Sequence, residues 1–210
     1  MYIFSILAPA LLFLAYKTVY TPAEQQKDSM RWFFWGILLC FPALLIIGLF
    51  KFLYPSFWGS VFLIYSFGMQ FFIMPALLAV AGIYLVLRLR GKAFPELYQI
   101  ESFLFGWSSL FLATHGVFYW GTNHWVYALA VPLLFLAMLG FMRDTVKEFF
   151  YDDFPGNLVQ LLKLLGLGLA AGLIVSLVFF NLGILALALL AAALALFIWQ
   201  WVGNHHILPS

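Results

Sequence analysis

The sequence predicts an all-α fold, a polytopic transmembrane helical bundle of about seven spans forming a single integral membrane domain over residues 1–210. Three observations carry that expectation. Of 210 residues, 66% are hydrophobic and only 9% are charged, against roughly 45–50% and about 25% in an ordinary soluble domain. The mean hydropathy is +1.05. The apolar runs are unbroken, without the two-residue alternation of a membrane β-barrel. So few charges cannot cover a soluble globule of this size, so a soluble enzyme and a disordered chain are excluded. The lone Cys40 excludes a disulfide framework. A net charge of +2 is too small for a nucleic-acid surface.

A helix needs about 20 apolar residues to cross a hydrocarbon core of roughly 30 Å. The first expected span, 2–16, is short and extends past Lys17, whose stem can snorkel to the headgroups. No positive n-region precedes it, so it reads as a retained span rather than a cleaved signal peptide. The second span covers 32–50. The third, 61–87, is long enough to tilt and carries Pro75, a source of kinking. The fourth and fifth cover 103–120 and 126–142. Residues 143–154 follow, with Val146, Phe149, Phe150 and Phe154 on one helical face and Pro155-Gly156 as a stop, which predicts a separate interfacial helix. The sixth and seventh spans cover 158–180 and 182–202. Gly168 and Gly172 form a GxxxG step, which predicts a small-residue packing face. It would join the last two spans in a hairpin around 181–183, or serve a homo-oligomer. Trp32, Trp35, Trp58, Trp120, Trp125, Trp199 and Trp201 lie near span ends and read as an aromatic belt.

Orientation follows from Lys and Arg beside the spans. Lys17, Lys27 and Arg31, then Arg88, Arg90 and Lys92, then Arg143, Lys147 and Lys163 make nine of the ten basic residues, and only Lys51 lies in an alternate loop. Those three segments are expected in the cytoplasm, with the N-terminus outside and the C-terminus inside. A multi-pass protein of the plasma membrane, a bacterial inner membrane in the simplest placement, is the expected localisation. The lipid bilayer is its solvent, and other membrane-protein helices or a second copy are its expected partners, with no nucleic acid.

Ionisable residues inside a membrane are costly and therefore functional candidates. The fourth span offers Glu101, Ser108 and His115, seven residues apart and nearly on one helical face. Glu101 is expected to reach cytoplasmic water, and His115 to be a neutral, hydrogen-bonded residue or a general base. Tyr65, Ser66 and Gln70 are the polar candidates of the third span. Glu101 and His115 are 14 residues apart, about 21 Å along a helix, so they cannot share one reaction centre. Ser108 lies about 10 Å from His115 by the same rise and cannot be activated by it directly. His124 is half a turn out of phase with His115, and His205-His206 is a tail pair without a third ligand. Asp152-Asp153 reads as a solvated pair. No Asp or Glu occurs between residues 29 and 95 or after 153, and no His occurs between 125 and 204. A metal centre or carboxylate dyad spread over several spans therefore cannot be built, and no cofactor is expected.

Two stretches carry a family resemblance. Ala8-Pro9-Ala10-Leu11-Leu12 with Tyr16, then Phe33-Phe34-Trp35-Gly36 and Phe41-Pro42, resemble the start of the PrsW-type intramembrane proteases. Phe105-Gly106-Trp107-Ser108-Ser109-Leu110-Phe111-Leu112-Ala113-Thr114, on to Tyr119, is similar to the helix where that family carries its F-x-x-x-E-N motif. Together they cover about a third of the chain. The family's Glu-Glu pair belongs on the third span, where this chain has Met69-Gln70-Phe71-Phe72, and its motif Glu corresponds to His115. The family's later His positions have no counterpart here. The resemblance therefore implies a shared scaffold whose proteolytic chemistry is lost. The expected function is a non-catalytic helix-binding or accessory subunit. Two alternatives stay open: an intramembrane enzyme acting on peptide or lipid and centred on His115, and a permease for an apolar or neutral solute lined by Tyr65, Ser66, Gln70 and Ser108.

Overall fold

A computed structural model describes residues 2–53, 60–121, 125–152 and 156–205. Every element among them is helical: α1 (Tyr2–Tyr20), α2 (Ala23–Leu53), α3 (Ser60–Phe67), π1 (Gly68–Ile73), α4 (Met74–Leu89), α5 (Leu97–Phe118), π2 (Val126–Ala130), α6 (Val131–Tyr151), α7 (Gly156–Phe179) and α8 (Gly183–His205). The segments α3-π1-α4 and π2-α6 are continuous rods. Among the described residues, four stretches are both long and apolar enough to cross a membrane: Ala23–Phe50, Ile64–Leu89, Val126–Tyr151 and Gly156–Phe179. Shorter apolar stretches, Leu7–Thr18 and Gly183–Trp199, run in α1 and α8. The outer surface is apolar, with Leu45, Leu49, Phe52 and Ile184 among its exposed residues, as a lipid-facing surface must be.

Helix α5, which is not among those four stretches, is buried along most of its length. It packs against α2, α1, α6 and α4, and Gln99, Glu101, Ser102, Ser108 and His115 are all buried along it. With lipid outside and no water to solvate them, polar side chains on a helix turn towards protein partners. The closest crossing, α2 with α5, is made by two glycines. A Cβ at Gly106 would meet the Phe33 carbonyl, and one at Gly36 would meet the carbonyl of Phe103.

Both π segments stop just short of a proline, Pro75 or Pro132. A proline ring collides with the carbonyl four residues back, and the wider π turn moves that carbonyl aside. The register confirms the widening, since Met74 N–H donates to Met69 O and Val131 N–H to Val126 O, five residues back. At the other ends, α4 and α7 close with Schellman turns. Gly91 (φ 64°) and Asn181 (φ 60°) take the left-handed position, and Lys92 N–H returns to Leu87 O as Leu182 N–H does to Leu177 O. Glu96 and Gln99 start α5 with reciprocal capping bonds.

Several expectations change. Residues 143–151 are no separate interfacial helix. They continue α6 without a break, because Arg143, Thr145 and Val146 have buried partners to face; Asp153, Phe154 and Pro155 lie outside the described residues. Trp32 is buried in the core rather than in a belt, where the Arg90 guanidinium sits 5.6 Å from its ring, whereas Trp120 and Trp199 are exposed. The last two helices do form a hairpin, but its glycines turn away from it. A Cβ at Gly172 would lie 2.6 Å from Gly68 N, and one at Gly168 would meet Ile73, so both serve the seam between α7 and α3-π1.

Candidate functional site

The three polar residues on the buried face of α5 do different work. Glu101 does not reach water. Its carboxylate and the Arg143 guanidinium form an ion pair at 2.9 Å, each side chain only 2% exposed. Arg143 also donates from Nε to Asp144 Oδ1 at 3.0 Å, and Tyr16 of α1 hydrogen-bonds the Glu101 carboxylate. One buried charge thus joins α1, α5 and α6. Beside it, Asp28 of α2 accepts from Arg90 (2.8 Å), Gln99 (2.8 Å) and Tyr98 (3.1 Å), and Ser29 and Ser102 share a 2.7 Å hydrogen bond. These contacts gather the basic segments of the sequence at one end of the bundle and lock them there. Ser108 is buried and donates to Phe105 O at 3.0 Å within its own helix. Neither Glu101 nor Ser108 is available for chemistry.

His115 lies towards the opposite end. Its Nε2 is 2.9 Å from the Tyr127 carbonyl of π2. A carbonyl only accepts, so Nε2 carries the proton and, in the neutral ring, Nδ1 is the acceptor nitrogen. Pro132 explains the available carbonyl. Once Val131 donates five residues back to Val126, the next donor in that register would be the N–H of residue 132 to Tyr127 O, and proline has none. Phe71 stands edge-on to the imidazole at 5.3 Å, and Tyr119 stacks on Tyr127 at 4.4 Å. The ring is held from π1, α5 and π2 together.

One face of this cluster borders a cavity of about 410 Å³ between α2, π1 and α5. Leu44, Ile47, Phe111 and Phe118 give it apolar walls, while Gln70, Thr114 and His115 bring polar atoms to it. Thr114 is engaged with Leu110 O at 2.9 Å. Gln70 is 6% exposed, and its side-chain amide has no hydrogen-bond partner among the described residues. The Pro75 register also removes the helical donor that would follow for the Gln70 carbonyl. Gly48 leaves the α2 side open, since a Cβ there would meet nothing within 4 Å.

The sequence-predicted residues therefore separate into groups. Gln70 and His115 come together at the cavity. Glu101 and Ser108 stay elsewhere on α5, and Tyr65 is half-exposed on the outer face of α3, so Tyr65, Ser66, Gln70 and Ser108 do not line one passage. Gly168 and Gly172 are spent on internal packing. His124 and His206 lie outside the described residues. No group of three metal-ligating side chains occurs among the described residues. The reading from sequence missed Arg143, counted as a loop cation, although a buried Glu101 requires one. It also missed Gly48 and the aromatic ring around His115, whose adjacency only the folded chain reveals.

The chain matches no known protein family, no curated protein and no solved structure.

Proposed function

We propose that this chain is a multi-pass plasma-membrane protein that acts as a non-catalytic, helix-binding accessory subunit, with the Gln70–His115 cavity as the place where a partner helix is read. The single observation that carries this reading is Gln70, a residue only 6% exposed that lines an apolar cavity and makes no side-chain hydrogen bond among the described residues. An amide presents donor and acceptor together, so its complement is a Ser, Thr, Asn or Gln side chain. Such side chains hydrogen-bond across helices in membranes. Gly48 leaves room on the α2 side for that side chain to arrive.

Catalysis is disfavoured by the same geometry. No carboxylate lines the cavity, and Thr114 is bonded into its own helix. The resemblance to PrsW-type proteases puts that family's carboxylates at 69–72 and at 115, and Gln70 and His115 from those positions line this one cavity. Support for a shared scaffold with substituted chemistry therefore comes from position as well as from local sequence. In this reading the seven helical rods all span, the basic end is cytoplasmic, the N-terminus is outside and a bacterial inner membrane is the setting. Cysteine labelling from one side of intact cells should then modify Gly121→Cys from outside only and Lys92→Cys from inside only.

Isolation from its native membrane in a mild detergent tests the binding role. The expected result is a stoichiometric membrane-embedded partner, or a second copy, that is lost when Gln70 becomes Leu. A strictly monomeric protein with nothing bound would refute it.

A further inference from the structure

At the basic end, on a different face from the Gln70–His115 cavity, a cleft of about 650 Å³ opens between α4, the end of α6 and the start of α7. Its long wall is one exposed face of α4, where Leu77, Ala81, Tyr84 and Arg88 follow one another at helical spacing. From Leu77 to Arg88 this wall climbs about 16 Å at 1.5 Å per residue. It is apolar for most of that climb and cationic at the top. Arg88 Nε donates to Tyr84 Oη at 2.9 Å, which holds the side chain along the helix, its guanidinium 5.2 Å from the Tyr84 ring centre. The Schellman turn at Gly91 then folds the chain back, with Lys92 N–H on Leu87 O, so Lys92 joins Arg88 at the rim. Asn157 closes the far side, its amide nitrogen oriented to donate to Phe149 O at 2.9 Å and Asp152 O at 2.6 Å.

Three other cations of this region are paired. Arg90 is paired with Asp28, Arg143 with Glu101 and Asp144, and Lys163 with Glu148. Among the described residues, neither Arg88 nor Lys92 forms an ion pair and no carboxylate lines the cleft. Two cations without ion-pair partners at the top of an apolar groove, where the apolar stretch Ile64–Leu89 ends, are complementary to one molecule in both its parts. We infer that this cleft binds an anionic phospholipid, with its phosphate on Arg88 and Lys92 and one acyl chain along the Leu77–Tyr84 face of α4.

Each cation near a membrane surface contributes about 1 kcal/mol to attracting anionic lipid, so the pair corresponds to roughly a 30-fold preference. The test titrates the full-length protein in detergent with phosphatidylglycerol or phosphatidylcholine and reads bound lipid by native mass spectrometry. The expected result is one phosphatidylglycerol bound about 30-fold more tightly than phosphatidylcholine. Arg88→Gln/Lys92→Gln should remove that preference. Lys27→Gln/Lys147→Gln, which changes net charge equally but outside the cleft, should keep it. Ala81→Trp retains both cations and fills the groove, and should weaken phosphatidylglycerol at least tenfold. Equal binding of the two lipids, or equal loss in both double variants, would overturn the inference. So would an intact affinity in Ala81→Trp, or displacement of the lipid by millimolar inorganic phosphate, because either result would leave an anion site with no lipid specificity.

Discussion

Arg143→Met should be among the most damaging single substitutions at the basic end, and the reason lies in what it leaves behind. Glu101 is 2% exposed and would keep only the Tyr16 hydrogen bond. Removing one partner of a buried ion pair costs about 3–5 kcal/mol, because the remaining charge is uncompensated. Glu101→Gln should cost less, about 1–3 kcal/mol, the range for leaving a buried polar group short of a partner. Arg143 would still hold Asp144, which is 43% exposed and needs no rescue itself. The double variant Glu101→Met/Arg143→Met removes both charges and should return to within about 1 kcal/mol of the native protein. Lys163→Met supplies the internal control. Its pair with Glu148 is half-exposed on both sides and should be worth less than about 1 kcal/mol. Equilibrium unfolding in mixed detergent measures all four variants, and the single Glu101→Met completes the double-mutant cycle. The reasoning is refuted if Arg143→Met costs no more than Lys163→Met, or if the double variant is as damaged as the worse single one.

The remaining predictions concern packing and the cavity. Gly106→Val should destabilise by at least about 1–3 kcal/mol, since its side chain would strike the Phe33 backbone, whereas Gly166→Ala meets nothing within 4 Å and should be neutral or stabilising by up to about 1 kcal/mol; thermal unfolding distinguishes the two. His115→Phe should cost about 1–3 kcal/mol, because it leaves the Tyr127 carbonyl without its donor, and Gln70→Leu should cost nothing in the absence of partner; the same unfolding assay reads both. Gly168→Leu should lower stability by disturbing the seam with Ile73 without changing the oligomeric state, which light scattering in detergent checks.

The helical, membrane-compatible character of the chain was legible because solvent choice is written in composition. Few charges and unbroken apolar runs leave only helices or closed barrels, and the absence of alternation decides between them. The stripe Glu101, Ser108 and His115 was legible as a face, since seven-residue spacing nearly repeats on a helix. What each member does was not, because its partner sits on another helix. Arg143 lies 42 residues from Glu101, and nothing local distinguishes it from a loop cation. Trp32 illustrates the same limit: at a span end it reads as a belt residue, yet Arg90 and α5 enclose it. The glycines at 36 and 106 look unremarkable in sequence because the repeat that matters is between two helices, not within one. Pro75 announced a kink, but the π register that Pro75 and Pro132 impose, and the Tyr127 carbonyl it releases to His115, follow only once Val131 is seen to donate five residues back.

The claim that the Gln70 cavity reads a partner helix is tested most directly by a photoreactive amino acid placed at position 48, where a side chain has open space beside the cavity. Irradiation of native membranes should yield a discrete adduct between this chain and a transmembrane segment of another protein or of a second copy. The same experiment in a Gln70→Leu background should lose most of that adduct. An adduct whose yield ignores Gln70→Leu, or no protein adduct at all, would contradict the account.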